Sequence, residues 1–216
     1  ENDRAITARI VDSGILCDRG KYRPKKNQYI PSELAAQIFN FIKNNEVEIL
    51  MMKIVFTKFE KELRKYNIDN HYYLQGILHE MYADQLYFKR DYVSTNSNLT
   101  SIYSTIVNYI ENANYLVTKE QIKNQYPGIT DSVITFATNH DNILNYFGEY
   151  LHVNKIKISQ EETVYLKNKI NEVVYDGLTH HIKELYDTVK QERPEIFMRN
   201  AVHYPHSAFS LLEYLF

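Results

Sequence analysis

The chain has 216 residues, of which 44% are hydrophobic, and it carries a formal net charge of -2. That hydrophobic content is ample for folded cores and excludes an intrinsically disordered chain. Six glycines and five prolines are too few for the tight turns of a β-sandwich, a barrel or a dinucleotide-binding fold, so we expect a mainly α protein.

Residues 1–28 are predicted to be the tail of a preceding unit followed by a basic linker. Apolar residues at helical spacing predict a helix over residues 3–13, closed by Gly14. Loose alternation around the turn-like pair at residues 19–20 predicts a small β-ribbon over residues 15–22. Because this opening resembles the end of an earlier unit, we expect the chain to be a piece of a longer protein.

Residues 29–98 are predicted to form a first complete unit. After Pro31, a first helix has an apolar face made of Leu34, Ile38, Phe41 and Ile42. Residues 47–54 form a short apolar run whose periodicity fits either a buried helical turn or a strand.

A second and a third helix are predicted next in this unit. Thr57 and Glu60 have the spacing of a capping box, which predicts a helix start at Thr57. Asp69 or Asn70 can cap the following helix. Residues 86–93 alternate as a strand, and the polar residues after them link this unit to the next.

Residues 99–158 are predicted to repeat this order of elements. Ile102, Ile106 and Ile110 face inward from a first helix, and Thr118 with Gln121 forms a second capping box. Pro127 and Gly128 end that helix, Thr130 or Asp131 caps another, and residues 145–153 read as one strand, with Tyr146-Phe147 matching Tyr87-Phe88 of the first unit.

Residues 159–216 are predicted to be a third unit, degenerate or truncated. Ser159 and Glu162 form a third capping box, and Thr179 opens a further helix. Thr57, Thr118 and Thr179 are spaced 61 residues apart, although the order of elements carries more weight than this spacing. The apolar last residues are expected to dock on a core or to continue into a wing.

A helix, a tight connection, a second helix and a strand over residues 57–93 have the order of a helix-turn-helix with a trailing wing. Together with residues 88–92 (FKRDY), this unit resembles the winged helix-turn-helix modules of bacterial transcription proteins, in particular the module of the RNA polymerase delta subunit. The resemblance covers about residues 31–153, with a weaker echo to residue 216. It implies tandem winged-helix-like units that bind DNA or RNA polymerase within a larger transcription-regulatory protein.

In a winged helix, the first helix and the wing hold phosphates while the second helix offers polar side chains to base edges. The candidate phosphate contacts are Arg19, Lys21, Arg23, Lys25, Lys26, Lys58, Lys61, Arg64, Lys65, Lys89 and Arg90. The candidate base contacts, all expected to be exposed, are Asn70, His71, Tyr72 and Gln75 in the first unit and Ser132, Thr135, Thr138, Asn139 and His140 in the second.

Two features oppose this DNA-binding interpretation. The chain lacks the overall basic excess of many DNA-binding domains, and Glu80 and Asp84 lie where phosphates would be repelled. The alternative is a protein-interaction scaffold in which the candidates are solvated faces and tyrosine-rich surfaces bind a partner.

Other functional classes find little support in the sequence. His180, His181, His203 and His206 match no zinc signature, so we predict surface or structural histidines and no metal, with a metal-dependent enzyme built on these histidines as a third possibility. A phosphate-cradling glycine loop and a nucleophile elbow are absent, which predicts neither an enzyme nor a cofactor. The single Cys17 suits a reducing cytoplasm, and no apolar run approaches the roughly 18 residues of a membrane span.

Overall fold

A computed structural model describes residues 13–18, 21–25, 30–89, 91–98, 101–175 and 178–216. These residues are mainly helical with small antiparallel sheets, which confirms the mainly α fold class. They divide into two compact units. Unit 1 takes the described residues up to Asn98 together with Lys123–Ile129, and unit 2 takes Ser101–Ile122 and those from Thr130 to Phe216. Unit 2 therefore contains the whole predicted third unit and most of the predicted second.

Unit 1 begins with a hairpin and continues with three helices interleaved with a three-stranded sheet. Its elements are β1 (Gly14–Asp18), β2 (Lys21–Pro24), α1 (Ser32–Lys43), β3 (Leu50–Met51), α2 (Met52–Arg64), α3 (His71–Tyr82), β4 (Tyr87–Phe88) and β5 (Tyr92–Ser94). The hairpin β1–β2 confirms the predicted ribbon. The predicted helix over residues 3–13 lies almost wholly outside the described residues.

The sheet of unit 1 has the order β3-β5-β4 with antiparallel pairs. Its helices bury apolar side chains at helical spacing, so that Ile38 of α1 and Leu74 and Leu78 of α3 are wholly inaccessible. The predicted single strand over residues 86–93 is instead a hairpin, because β4 turns back and pairs with β5.

The predicted start of α2 at Thr57 is wrong, since the helix begins at Met52. Leu50 pairs with Val93 in the sheet, and the Met52 amide donates to the Asp91 carbonyl at 2.9 Å. These long-range pairings end the strand and begin the helix five residues earlier than the local cap pattern indicated. The ambiguous run over residues 47–54 thus holds both a strand and a helix start.

The chain from residue 101 follows the same order and then adds further helices. The elements are α4 (Ile102–Asn112), β6 (Val117–Thr118), α5 (Lys119–Gln125), α6 (Asp131–Thr138), β7 (Ile143–Asn145), β8 (Glu149–His152), α7 (Gln160–Val174), α8 (Ile182–Glu192), α9 (Pro194–Arg199) and α10 (Pro205–Leu215). The second three-stranded sheet has the order β6-β8-β7, matching that of unit 1.

Residues 145–153 form a turn and a strand and not the single predicted strand. β7 pairs with β8 through Leu144 and Leu151, and the turn between them places Phe147 and Gly148 at φ 62° and 91°. Two successive residues with positive φ make a tight hairpin turn, and Gly148 adopts this backbone without steric cost. Tyr146-Phe147 therefore lies at the hairpin turn and is not the equivalent of Tyr87-Phe88 in β4.

Several predicted helix caps are confirmed. The Thr118 and Gln121 side chains exchange hydrogen bonds with each other's backbone amides at 2.7 and 3.2 Å. Asn70 accepts from the Tyr73 amide at 2.9 Å, and Thr130 accepts from the Val133 amide at 3.4 Å. The predicted opening of a helix at Thr179 is wrong.

His181 caps α8 instead, accepting from the Lys183 amide at 3.1 Å, and the helix starts at Ile182. Of the three evenly spaced threonines, Thr118 alone stands at a helix start. The even spacing therefore marks no structural repeat.

The last helices pack together and against the edge of the second sheet. α8 contacts α7, α9 and α10, and α10 also contacts β7. Leu211 and Leu212 of α10 are buried in this core, and the Ser210 hydroxyl donates to the Asn145 carbonyl at 2.8 Å. The expected docking of the apolar end is thus confirmed for the inner face of α10. None of the described helices combines the length and apolar character that crossing a membrane requires.

The Ser159–Glu162 capping box extends into a salt bridge. Glu162 accepts from the Ser159 amide at 2.9 Å and also pairs with the Arg199 guanidinium. The Ser159 amide, followed by Arg199, holds the pKa of the Glu162 carboxyl below its usual range despite burial. A carboxyl with a lowered folded-state pKa stabilises the fold above its unfolded pKa of about 4.3 and loses that contribution as the pH falls.

Replacing Glu162 by glutamine is expected to lower the free energy of unfolding by about 1 kcal/mol at pH 7, because glutamine keeps the capping box but loses the charge. The difference from the wild type should shrink below about pH 4, where the wild-type carboxyl protonates. Thermal unfolding followed by circular dichroism across pH measures both. Glu161→Gln, at an exposed neighbouring salt bridge, is the control, and an equal pH dependence in both variants would contradict the assignment.

Candidate functional site

The helix α3 is the second helix of the helix-turn-helix pair α2–α3 in unit 1, and the β1–β2 hairpin covers it. A Cβ built on Gly76 would stand 2.6 Å from the Leu16 carbonyl oxygen and would also meet the Ile15 side chain. The Asn70 amide donates to the Cys17 carbonyl at 2.8 Å, and its carbonyl oxygen caps the helix. Asn70 is therefore engaged inside unit 1 and does not point a polar group at solvent.

The wing of unit 1, formed by β4 and β5, closes another side of α3. Gln75 is buried, and its amide donates to the Lys89 carbonyl at 2.6 Å. The expected exposure of Gln75 is therefore wrong. His79 makes an edge contact with Phe88 at 5.6 Å between ring centroids, and His71 and Tyr72 are half-buried. With its remaining face in the core, α3 offers no continuous face to a DNA groove.

The basic candidates are mostly engaged within unit 1. Arg19, Lys26 and Arg90 lie outside the described residues. Three others form salt bridges: Lys21 with Asp18 at 3.0 Å, Lys25 with Glu80 at 3.0 Å and Arg64 with Glu60 at 2.6 Å. The hydrogen bond to Asp18 raises the pKa of Lys21. These pairings reduce the positive charge that is available to phosphates.

The other described cations differ in their surroundings. Arg23 lies over the Tyr73 ring and Lys58 over the Phe41 ring, each 4.9 Å from the ring centroid. Lys61, Lys65 and Lys89 are exposed. The exposed cations Lys58 and Lys61 stand on α2, and Lys65 caps its C-terminal end, so this helix keeps the most accessible positive charge among the described candidates.

The corresponding helix of unit 2, α6, is open. Ser132, Thr135, Asn139 and His140 are exposed, as predicted. Thr138 is buried, and its hydroxyl donates to the Ile134 carbonyl at 2.9 Å, so its expected exposure is wrong. The exposed residues recur with helical spacing and give α6 one continuous accessible face.

This face forms one wall of a groove in unit 2, called here the α6 groove. β7 forms its floor and α10 the opposite wall, and its volume is about 1000 Å³. The groove is lined by Ser132, Thr135, Phe136, Thr138, Asn139, His140, Asp141, Ile143, Leu144, Asn145, Tyr150, Ser210, Glu213 and Tyr214. Among these described residues two are carboxylates and none is a lysine or an arginine.

Exposed aromatic side chains surround the α6 groove. Phe136 is 68% exposed and its ring lies 4.8 Å from that of Tyr103. Phe147 is 83% exposed at the hairpin turn and contacts His206 of α10. Exposed aromatic side chains of this kind are common anchors of protein interfaces.

The sequence reasoning missed Phe136 and Glu213. A signal for Phe136 exists, because it falls out of phase with the buried Ile134 and Ala137 of α6. An apolar residue on the polar face of a helix is informative in this way. Glu213 has no such signal, since only the packing of α10 against β7 brings it to the groove.

The four C-terminal histidines each make different contacts. His180 contacts Glu184 at 3.1 Å, and His181 caps α8. His203 is at the turn before α10, where its carbonyl accepts from the Tyr186 hydroxyl at 2.7 Å, and His206 faces Phe147. No group of three or more His, Cys, Asp or Glu side chains in the described residues could hold a metal ion.

The two second helices thus differ in accessibility and charge. α3 is covered by the core, the hairpin and the wing except at its exposed C-terminal residues His79, Glu80 and Met81, whereas α6 keeps an aromatic and acidic groove open. No family model, curated protein or solved structure matches the chain.

Proposed function

We propose that this chain is a protein-interaction scaffold built from two winged-helix-like units, and that the α6 groove receives a protein partner. The winged-helix-like description is supported by the order of elements in both units: helix, strand, helix, helix, strand, strand. It is also supported by the sheet order, in which the first strand pairs with the last in each. In such modules the second helix of the pair commonly contacts the target.

The observation that carries the proposal is the contrast between α3 and α6. Most of the predicted phosphate contacts surround α3, and the β1–β2 hairpin covers that helix. The helix α6 is open and presents Phe136 in the same groove as Asp141 and Glu213. Phosphates would be repelled by the two carboxylates, because phosphate affinity depends on cations. A protein surface gains from burying an exposed aromatic side chain.

A peptide selection tests this function. Random peptides displayed on phage are selected against the whole immobilised chain, and the enriched peptides are then measured by fluorescence anisotropy. Peptides that occupy the α6 groove should bind Phe136→Ser about tenfold or more weakly, since interface anchors of this size dominate affinity. Tyr175→Ser removes an aromatic side chain that is 85% exposed elsewhere in unit 2 and should change nothing.

Two results would count against a protein-binding groove. One is a selected set of peptides whose affinity is the same for the wild type and Phe136→Ser. The other is an absence of any enriched peptide together with tight binding of duplex DNA.

Duplex DNA binding through α2 is the second candidate function. It is favoured by Lys58, Lys61 and Lys65, which lie at helical spacing and are exposed. Such binding would be tolerant of sequence, because α2 would contact phosphates and no base edges. A gel shift with random duplex at 50 and 200 mM salt tests it.

Three phosphate contacts would weaken the affinity about 40-fold over that salt range. The double variant Lys61→Glu, Lys65→Glu should then abolish the shift. Retardation that ignores both salt and these substitutions would exclude α2 as the DNA-binding surface.

A further inference from the structure

We infer that the α6 groove recognises a segment of a partner protein by a lysine or arginine side chain that is flanked by apolar residues. This inference rests on the proposed function and names the chemistry of the partner. It comes from the charge of the groove, the apolar surface beside that charge, and the covered edge of the sheet at its floor.

The charge of the groove is negative. Asp141 and Glu213 are exposed, and neither is in a salt bridge with any residue that the structure describes. His140 accepts a hydrogen bond from the Asn142 amide at 3.2 Å. Lys119 lines a neighbouring depression and lies 3.6 Å from Asp131. A cationic side chain that enters the groove can therefore pair with either carboxylate without breaking an existing salt bridge.

Apolar surface lies beside these carboxylates. Phe136 and Tyr214 project from the two walls, and Ile143 and Leu144 belong to the floor. Lysine and arginine bury their aliphatic stems on apolar surface while the charged group stays at a polar site, and aromatic faces attract cations. The groove thus fits a side chain that is both long and positive, together with an apolar neighbour.

The floor of the groove excludes one common mode of peptide binding. β7 is an edge strand, which could in principle accept an additional strand from a partner. The Asn145 carbonyl is already bonded to the Ser210 hydroxyl, and α10 packs on β7. Recognition must therefore use the side chains of the walls, and so depends on the partner's residue types more than on its backbone.

The charge of the groove also favours a protein segment over nucleic acid. An open acidic surface disfavours nucleic acid, whose phosphates carry the same sign of charge. A second copy of the chain could supply a cation, and the experiment separates that case.

Three labelled peptides of equal length test the inference by fluorescence anisotropy with the whole chain. Each alternates leucine with one other residue, which is lysine, serine or glutamate. The lysine peptide should bind most tightly and the glutamate peptide at least tenfold more weakly. Asp141→Asn and Glu213→Gln should each weaken the lysine peptide about 1.5- to 5-fold, the range of exposed ion pairs. Added salt should weaken it further.

Asp187→Asn is the matched control, because Asp187 is an exposed carboxylate of unit 2 that does not line the groove, and it should leave the affinity unchanged. The inference is overturned if the serine peptide binds as tightly as the lysine peptide, or if the lysine peptide does not bind below 1 mM. If the serine and lysine peptides bind equally and Phe136→Ser abolishes the binding of both, the groove still binds a protein segment and the proposed function stands. If only duplex DNA binds, both fall.

Sedimentation at several protein concentrations identifies a second copy as the occupant. If the chain self-associates and the double variant Asp141→Asn, Glu213→Gln abolishes that association, the occupant of the groove is a second copy of this chain and not a separate partner. A monomer at all concentrations supports the inference as stated.

Discussion

Replacing Gly76 by alanine is expected to push the β1–β2 hairpin away from α3. The new methyl group would stand 2.6 Å from the Leu16 carbonyl oxygen, and a backbone atom cannot move aside alone. Alanine favours an isolated helix by about 1 kcal/mol over glycine. Overpacking of this kind costs about 1–3 kcal/mol, so we expect a net loss of stability. Urea unfolding measures that loss.

Hydrogen exchange separates a displaced hairpin from a general loss of stability. The amides of Gly14–Asp18 and Lys21–Tyr22 should exchange faster in Gly76→Ala, while those of α1 and α2 change little. Met81→Ala is the control, because Met81 is an exposed side chain near the C-terminal end of α3. Unchanged exchange in the hairpin would mean that its contact with α3 is not needed to hold it in place.

Truncating Leu166 to alanine should have a still larger effect, about 2–5 kcal/mol on the free energy of unfolding. Leu166 is wholly buried, and it is the one buried apolar side chain among the fifteen residues of α7, all of which the structure describes. It belongs to the core that α8, α9 and α10 share. Loss of its side chain leaves a cavity where α7 docks.

Val164→Ala is the matched control, two residues away on the same helix and 54% exposed. It should change the free energy of unfolding by no more than about 0.5 kcal/mol. Urea unfolding followed by circular dichroism compares the two variants. Equal effects would mean that α7 is held to unit 2 by its polar contacts at Ser159 and Glu162 and not by its apolar face.

The fold was predictable where the determining contacts are local. The capping boxes at Thr118 and Ser159 were found because each depends on residues three apart in sequence. Thr57 has the same local pattern, but the pairing of Leu50 with Val93 begins the helix earlier. The sequence pattern contains no trace of that pairing, which joins residues more than forty positions apart.

The candidate site was less predictable for the same reason. Gln75 and Thr135 are similar polar residues on second helices, and both were expected to be exposed. A distant hairpin and wing enclose the first, whereas the second borders an open groove. Accessibility of a polar helix position is thus decided by what packs over it, and helical periodicity identifies only the face that the core takes.

The hairpin on α3 also affects the affinity with which an outside molecule could bind this helix. Because β1–β2 and α3 belong to one polypeptide, their association is intramolecular and does not depend on the concentration of the protein. An outside molecule would compete with this internal ligand and would have its apparent affinity for α3 reduced accordingly. The same reduction does not arise at α6, where the groove is open.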